Sequence, residues 1–281
     1  MDWFEETLHQ GWRQAIRVER VLFREQTGHQ DLVIFDSRDW GRVLALDGVV
    51  QTTTGDEFCY HEMLVHVPLL AHGAAREVLI IGGGDGGCLR EVLRHAGVIR
   101  VTQVEIDPAV IELSRHWLPT LSDGAFDDPR ARVVIADGAR FAAESRDRFD
   151  VAIVDSTDPQ GPGAVLFTAP FYQDVRRLLN PGGIMVSQCG NPAIRPDELV
   201  ETQAAQAAAG FALVDYYLTV VPTYIGGAMA LGFATDAPGR RAISVRELEA
   251  RGVPAGLRYY TPEMHVAAFA HPRWIIERVG H

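Results

Sequence analysis

Residues 78–88 read VLIIGGGDGGC, and this stretch decides the fold. Val78, Leu79, Ile80 and Ile81 form a short apolar run of the kind found in a strand buried on both faces. Gly82-Gly83-Gly84-Asp85-Gly86-Gly87 follows, and Leu89 to Leu93 then resume at helical spacing. A strand, a glycine turn and a helix bring a nucleotide close to backbone N–H groups at a helix N-terminus. Asp85 is the unusual residue, because a loop built for phosphate would not carry a carboxylate at its centre. The loop therefore reads as one for a nucleoside whose nearby charge is positive.

Outward from this stretch, strand and helix alternate. Strands are expected at 77–81, 100–105, 132–136, 150–155 and 183–188. Helices are expected at 87–95, 108–117, 139–146 and 169–179, with Pro108 suited to a first helical turn. This alternation implies a mostly parallel sheet with helices on both faces. A later helix (198–209) precedes two β-like runs, 211–221 and 229–234, that read as an antiparallel edge pair. Before the glycine loop, 56–71 reads as a helix with Asp56 and Glu57 at its start. Residues 1–54 read as a small antiparallel sheet with strands at 18–24, 32–36 and 42–46, and Asp47-Gly48 is a hairpin signal. So small a sheet is expected to pack on its neighbour or on another subunit. The division expected is an N-terminal β domain, 1–54, and a nucleoside-binding catalytic domain, 55–281.

The 281 residues are 47% hydrophobic and 22% charged, as expected of a globular chain that buries a substantial core. A formal net charge of −11 argues against general nucleic-acid binding. Cys59, Cys88 and Cys189 are widely spaced with no CxxC pair, so no disulfide framework or zinc site is expected. The start MDWFEETLHQGWRQ has no basic head and apolar core, and no apolar run is long enough to span a bilayer. The expected location is the cytoplasm, without membrane or nucleic-acid partners.

In an open α/β sheet the ligand lies beyond the carboxyl ends of the strands. Acidic residues follow four successive strands: Asp85, then Glu105 and Asp107, then Asp137, then Asp155 and Asp158. Glu105 stands about 20 residues after the loop, where an acidic residue binds a ribose diol. Asp137 is either an acceptor for an adenine amino group or a helix N-cap, or both. The loop also satisfies G-x-G-x-x-G through Gly82, Gly84 and Gly87, but a dinucleotide pyrophosphate would meet repulsion from Asp85, Asp155 and Asp158. His61-Glu62-Met63-Leu64-Val65-His66 fails as a zinc-protease helix, because its histidines are five apart instead of four.

Taken together, HQDLVIF (29–35), LDGVVQTTTGDEFCYHEM (46–63), VLIIGGGDGG (78–87), VEID (104–107), DG (137–138), DSTDPQGP (155–162) and PTYIGG (222–227) resemble the polyamine aminopropyltransferase family, that of the spermidine synthases. The resemblance spans nearly the whole chain and separates it from the related methyltransferases. It implies a Rossmann-like, class I methyltransferase-type sheet, mostly parallel and seven-stranded, with a small N-terminal antiparallel β domain. It implies transfer of an aminopropyl group from decarboxylated S-adenosylmethionine, a co-substrate, to putrescine, with no cofactor and no metal. Nucleoside contacts are implied for Gln30, Glu105, Asp137, Gly138 and Pro162. Amine or aminopropyl contacts are implied for His61, Asp85, Asp155, Ser156, Thr157 and Asp158, with Asp155 as proton acceptor. Gln51, Tyr60, Gln188 and Tyr224 are implied to line the pocket, and the chain to form a homodimer or higher homo-oligomer. Two departures, Thr54-Gly55 before DEF and Ile225 where relatives carry a second aromatic, bear on the amine pocket.

The chemistry agrees with this reading. The donor carries a sulfonium and an ammonium but no carboxylate. Asp85 and Asp155 would attract it and repel ordinary S-adenosylmethionine, by roughly 4 kcal/mol per pair at about 4 Å and an effective dielectric of 20. An acceptor amine with a pKa of about 10.4 must lose a proton before it attacks, which a buried pocket and Asp155 can arrange. Residues 156–168 are expected to close over the site as a lid. The alternatives are another acceptor (agmatine, cadaverine or spermidine), an S-adenosylmethionine-dependent methyltransferase, a non-catalytic nucleoside binder and an NAD-dependent dehydrogenase.

Overall fold

The computed structural model describes residues 2–28, 30–157 and 161–279. The chain begins with β1 (Trp3–Glu5) and β2 (Ala15–Arg17), a two-stranded antiparallel pair. Next come β3 (Arg20–Gln26), β4 (Asp31–Ser37), β5 (Gly41–Leu46) and β6 (Val49–Thr53), a four-stranded antiparallel sheet in that order. Asp47 and Gly48 both take positive φ (50° and 78°), the left-handed pair that a tight hairpin needs. The expected N-terminal sheet is thus present, joined by a second small one that the sequence did not signal. Its strands are three residues long, too short to show a period.

The rest of the chain runs α1 (Phe58–His72), β7 (Glu77–Gly82), α2 (Gly87–Leu93), β8 (Arg100–Glu105), α3 (Pro108–Trp117), α4 (Pro119–Ser122), β9 (Ala131–Ile135), α5 (Gly138–Glu144), β10 (Phe149–Asp155), α6 (Ala169–Leu178), β11 (Leu179–Gln188), α7 (Pro196–Ala208), β12 (Leu213–Val220), β13 (Ala228–Thr235), α8 (Val245–Ala250), α9 (Pro262–Ala268) and α10 (Arg273–Val279). The large sheet has seven strands in the order β12-β13-β11-β10-β7-β8-β9. β11, β10, β7, β8 and β9 are parallel, and β13 and β12 add the antiparallel edge.

Alternation along each strand feeds two cores. Val78, Ile80, Val151 and Ile153 point into the layer containing α1. Leu79, Ile81, Ala152 and Val154 point into the layer containing α6. The N-terminal sheet docks by Leu32, Ile34, Leu44 and Leu46 against Val110, Leu118 and Leu121 of the α3–α4 region. At four fully buried aliphatics of about 1.5–3 kcal/mol each, this contact is strong enough to fix the small sheet on its neighbour.

The sheet's topological switch lies at β7, which pairs with β8 on one side and β10 on the other. A crevice opens beyond strand ends at such a point. Gly82 is the register partner of Asp155 there, so the glycine loop and the end of β10 share one mouth.

Candidate active site

One cavity of about 460 Å³ occupies this mouth. It is lined by Gln30, Gln51, Tyr60, His61, Asp85, Glu105, Asp137, Gly138, Asp155, Ser156, Thr157, Gln188 and Tyr224, every site residue expected from the sequence whose side chain is described. Asp158 lies outside the described residues, as do residues 159 and 160 of the expected lid, and the Pro162 side chain is not described. Gly161–Phe167 form a 3₁₀ turn, and its Val165 and Leu166 reach the cavity wall.

The glycines of the loop make room for protein as much as for ligand. A Cβ on Gly82, whose φ is +86°, would strike the carbonyl oxygen of Asp155. One on Gly84 would come within 2.9 Å of a Glu105 carboxylate oxygen, and one on Gly87 would enter the His61 ring. The bare loop is what lets the end of β10, Glu105 and His61 converge.

Where β7 and β10 end, Tyr60 donates its hydroxyl to Asp155 Oδ1 at 2.9 Å. Asp85 accepts the Gly87 N–H at 2.8 Å with Oδ1 and places Oδ2 3.4 Å from His61 Nε2. Burial acts to raise both carboxyls. In Asp85 the His61 charge and the Gly87 N–H prevail and hold it below the usual range. In Asp155 burial prevails, aided by the Asp85 charge and against the pull of His61, and the carboxyl is lifted. His61 is lifted well above an ordinary imidazole: burial opposes its charge, but Asp85 and Glu57 outweigh burial. Ser156 Oγ is buried without a partner among the described residues.

His61, Cys88 and Asp155 bring a ring nitrogen, a sulfur and a carboxylate oxygen within 4.8 Å of one another. These are atom types that a metal ion takes, but His61 is engaged by Glu57 and Asp85, and Asp155 by Tyr60. Cys88 is fully buried and does not line the cavity.

Glu105 is buried as the last residue of β8, accepts the Asp107 N–H at 2.9 Å, and is pushed up to about 7 by burial. Asp137 accepts the Arg140 N–H at 2.9 Å as the N-cap of α5 while lining the cavity, so both roles weighed for it are open to one side chain. Gln30 lines the cavity and donates to Asp107 Oδ2 at 3.1 Å, tying the N-terminal sheet to the loop after β8. Tyr224 lines the cavity wall, donates to the Gln51 carbonyl at 2.6 Å and meets the Tyr60 ring edge-on at 5.7 Å. Gln188 is buried and turns its Oε1 to the Gly190 N–H at 2.7 Å.

Sequence reasoning missed Glu6, His9, Asn191 and Glu198, which also line the cavity. The first two lie in the segment around β1, which carried no recognisable period. It also missed Glu57 and Arg90 behind His61. The four-residue spacing of Glu57 and His61 on one helix face was the available signal.

Residues 57–242 match the family model described as the spermine/spermidine synthase domain, and residues 2–54 match that described as the spermidine synthase tetramerisation domain. Polyamine aminopropyltransferase 1 of Pseudomonas aeruginosa is 52% identical, over 99% of this chain and 97% of the relative. The polyamine aminopropyltransferase of a Ruegeria species is 54% identical, over 97% and 96%. A crystal structure of spermidine synthase in complex with the transition state analogue AdoDATO superposes with a TM-score of 0.92 at 38% identity, covering 99% of this chain and 94% of that one. Spermidine synthase from Thermotoga maritima superposes at 0.88 with 36% identity and the same coverage.

Proposed function

Since the chain belongs to the spermine/spermidine synthase family, we propose that it moves the aminopropyl group of decarboxylated S-adenosylmethionine to putrescine, giving spermidine and 5′-methylthioadenosine. The observation that carries this reading is the pair Asp85 and Asp155, two partly buried carboxyls in one cavity held in opposite directions. A cationic donor fits a site that keeps Asp85 ionised, and a lifted Asp155 is a stronger base than a free carboxylate.

The nucleoside lies toward Glu105, Asp137, Gly138 and Gln30. The ribose diol meets Glu105 and the adenine meets Asp137. The aminopropyl arm and the acceptor lie among His61, Asp85, Asp155, Ser156 and Thr157, beside Tyr60, Gln51, Gln188 and Tyr224. Asp155 takes a proton from the acceptor's ammonium. The freed nitrogen lone pair attacks the propyl carbon bonded to sulfur, the carbon–sulfur bond breaks, and its electrons return to sulfur as a neutral thioether. Positive charge passes from sulfonium to the new secondary ammonium, so ionised Asp85 keeps a cation in the cavity with it while Asp155 holds the proton. Alignment within the cavity and its fixed charges supply the rate.

Two further readings accompany it. Residues 1–54 form the N-terminal β domain and 55–281 the catalytic domain, supported by the small sheets ending at Thr53 before α1 opens at Phe58. The chain assembles with its own copies, supported by the family model over residues 2–54 and by Trp3 and Trp12, which stand 52% and 53% exposed in the single chain. Sedimentation velocity at micromolar concentration is expected to show a dimer or larger species, and a single-chain species would contradict the assembly.

The activity is tested by mixing the protein with decarboxylated S-adenosylmethionine and, separately, putrescine, cadaverine, agmatine and spermidine, and measuring 5′-methylthioadenosine with the polyamine formed. Putrescine is expected to give the highest kcat/KM. A different amine in first place would replace the acceptor, and no product with any amine would refute the reading.

A further inference from the structure

His61 has a supporting structure behind it that the reaction does not touch. Glu57 lies one turn earlier on the same helix face and sets its Oε2 2.6 Å from His61 Nδ1. The same oxygen accepts from Arg90 Nη2 at 2.9 Å. Arg90 is itself pinned by Glu91 Oε1 at 2.7 Å and the Leu121 carbonyl at 2.6 Å, and Glu91 continues to His66 at 3.0 Å. Glu57, Glu91, His61 and His66 are all buried, so this is a connected ionic network and not a surface pair. His61 Nδ1 therefore carries a hydrogen, and the ring, pressed on Gly87, presents Nε2 to Asp85 Oδ2.

We propose that Glu57, clamped by Arg90, is a positioning residue for aminopropyl transfer: it fixes the His61 ring between Asp85 and Asp155 as the site's resident hydrogen-bond donor and positive charge. The inference rests on the reaction proposed above. The groups facing His61 are Glu57 and Tyr60 from its own helix, Asp85 from the loop after β7, Cys88 from α2, with Arg90 acting through Glu57, and Asp155 from the end of β10. Two carboxylates must share this cavity with a dicationic acceptor that has to lose a proton. A fixed imidazolium keeps Asp85 ionised, and it pulls Asp155 down against the burial that lifts it. If Glu57 loses its charge, burial gains on His61, the positive charge fades, and Asp155 stays protonated to higher pH. Arg90 serves the clamp by holding Glu57 ionised.

The test is Glu57→Gln, which removes the charge and keeps the shape. It is expected to lower kcat roughly 10- to 100-fold, as loss of a partner that orients a ligating histidine does, with donor KM changed far less. The acid limb of the kcat profile is expected to move to higher pH by about one unit. Glu57→Asp, which keeps the charge, is expected to return the limb toward its wild-type position. In a His61→Gln background, Glu57→Gln is expected to leave the profile where His61→Gln put it. A Glu57→Gln profile that overlays the wild type, or an equal loss in both backgrounds, would overturn the proposal. Nitrogen-15 NMR of the imidazole reads the same point without turnover: His61 is expected to be doubly protonated at pH 7 in the wild type and neutral in Glu57→Gln. An unchanged signal would overturn the positioning role even if no amine proved a substrate, whereas an inactive wild type with the expected signals would refute the reaction alone.

Discussion

Asp85 and Asp155 carry the same side chain, share one cavity, and are driven apart by their neighbours. The difference lies in what each oxygen meets. Asp85 spends one on the Gly87 N–H and faces His61 with the other, and both contacts favour the anion. Asp155 receives the Tyr60 hydroxyl and the weak Cys88 thiol, which do not offset its burial. Tyr60 is the hydroxyl donor that holds Asp155 Oδ1. Tyr60→Phe should reduce kcat roughly tenfold or more, the worth of one hydrogen bond to a charged group, while donor KM changes little. Steady-state kinetics check this, and an unchanged kcat would show that Asp155 is held by other means.

At the scale of elements, α1 shows where sequence reading succeeds and where it stops. The residues expected to form it, 56–71, overlap the observed Phe58–His72 closely, because its apolar content and acidic start are local properties. Its burial was not legible. Fourteen of its fifteen residues are buried, so it is enclosed on every side and not amphipathic, and each polar side chain on it needs a partner supplied by distant sequence. Glu62 shows how this is met: its carboxylate accepts the N–H groups of Arg258, Tyr259 and Tyr260, each at 2.8 Å, and so fastens the C-terminal segment to α1. Glu62→Ala should cost roughly 3 kcal/mol by leaving those donors unpaired. The thermal midpoint should fall by more than about 5 °C. A midpoint within a degree of wild type would show that the segment is held elsewhere. The strand-end carboxylates were legible for the opposite reason. Residues after successive parallel strands share one edge of the sheet whatever the packing, so Asp85, Glu105, Asp137 and Asp155 could be grouped from spacing alone. Arg90 and Glu6 could not, since only the folded chain shows which side chains they meet.

Across the whole molecule, several histidines are buried away from the reaction. Burial holds His72 at about 4, His95 at about 3 with help from His66, and His265 at about 4. Each folded value lies below the roughly 6.5 of an unfolded imidazole. The unfolded chain therefore takes up protons first as pH falls. The stability tied to these residues is full above about pH 6.5 and drains as pH drops toward their folded values. Glu105, raised to about 7, works the other way between about 4.5 and 7, and the contribution of His61 is lost only above about pH 6.5. Three histidines outweigh the two lifted carboxyls, Glu105 and Asp155, so the protein should be less stable at pH 5 than at pH 6.5. Urea unfolding at the two values checks the sign, and equal or greater stability at pH 5 would contradict the assignment of these histidines as buried and neutral.

The same fold sets Asp85 and Asp155 in one cavity with Glu105 and Asp137, and the N-terminal sheet against α3 and α4 beside it. The central claim is that Asp155 takes the acceptor's proton within this frame. The measurement that reaches it most directly is single-turnover spermidine formation by Asp155→Asn, with decarboxylated S-adenosylmethionine already bound and putrescine added, alongside calorimetric affinity for 5′-methylthioadenosine. The rate is expected to fall roughly 10²- to 10⁴-fold with nucleoside affinity kept. A rate near that of the wild type would contradict it and place the proton on another group.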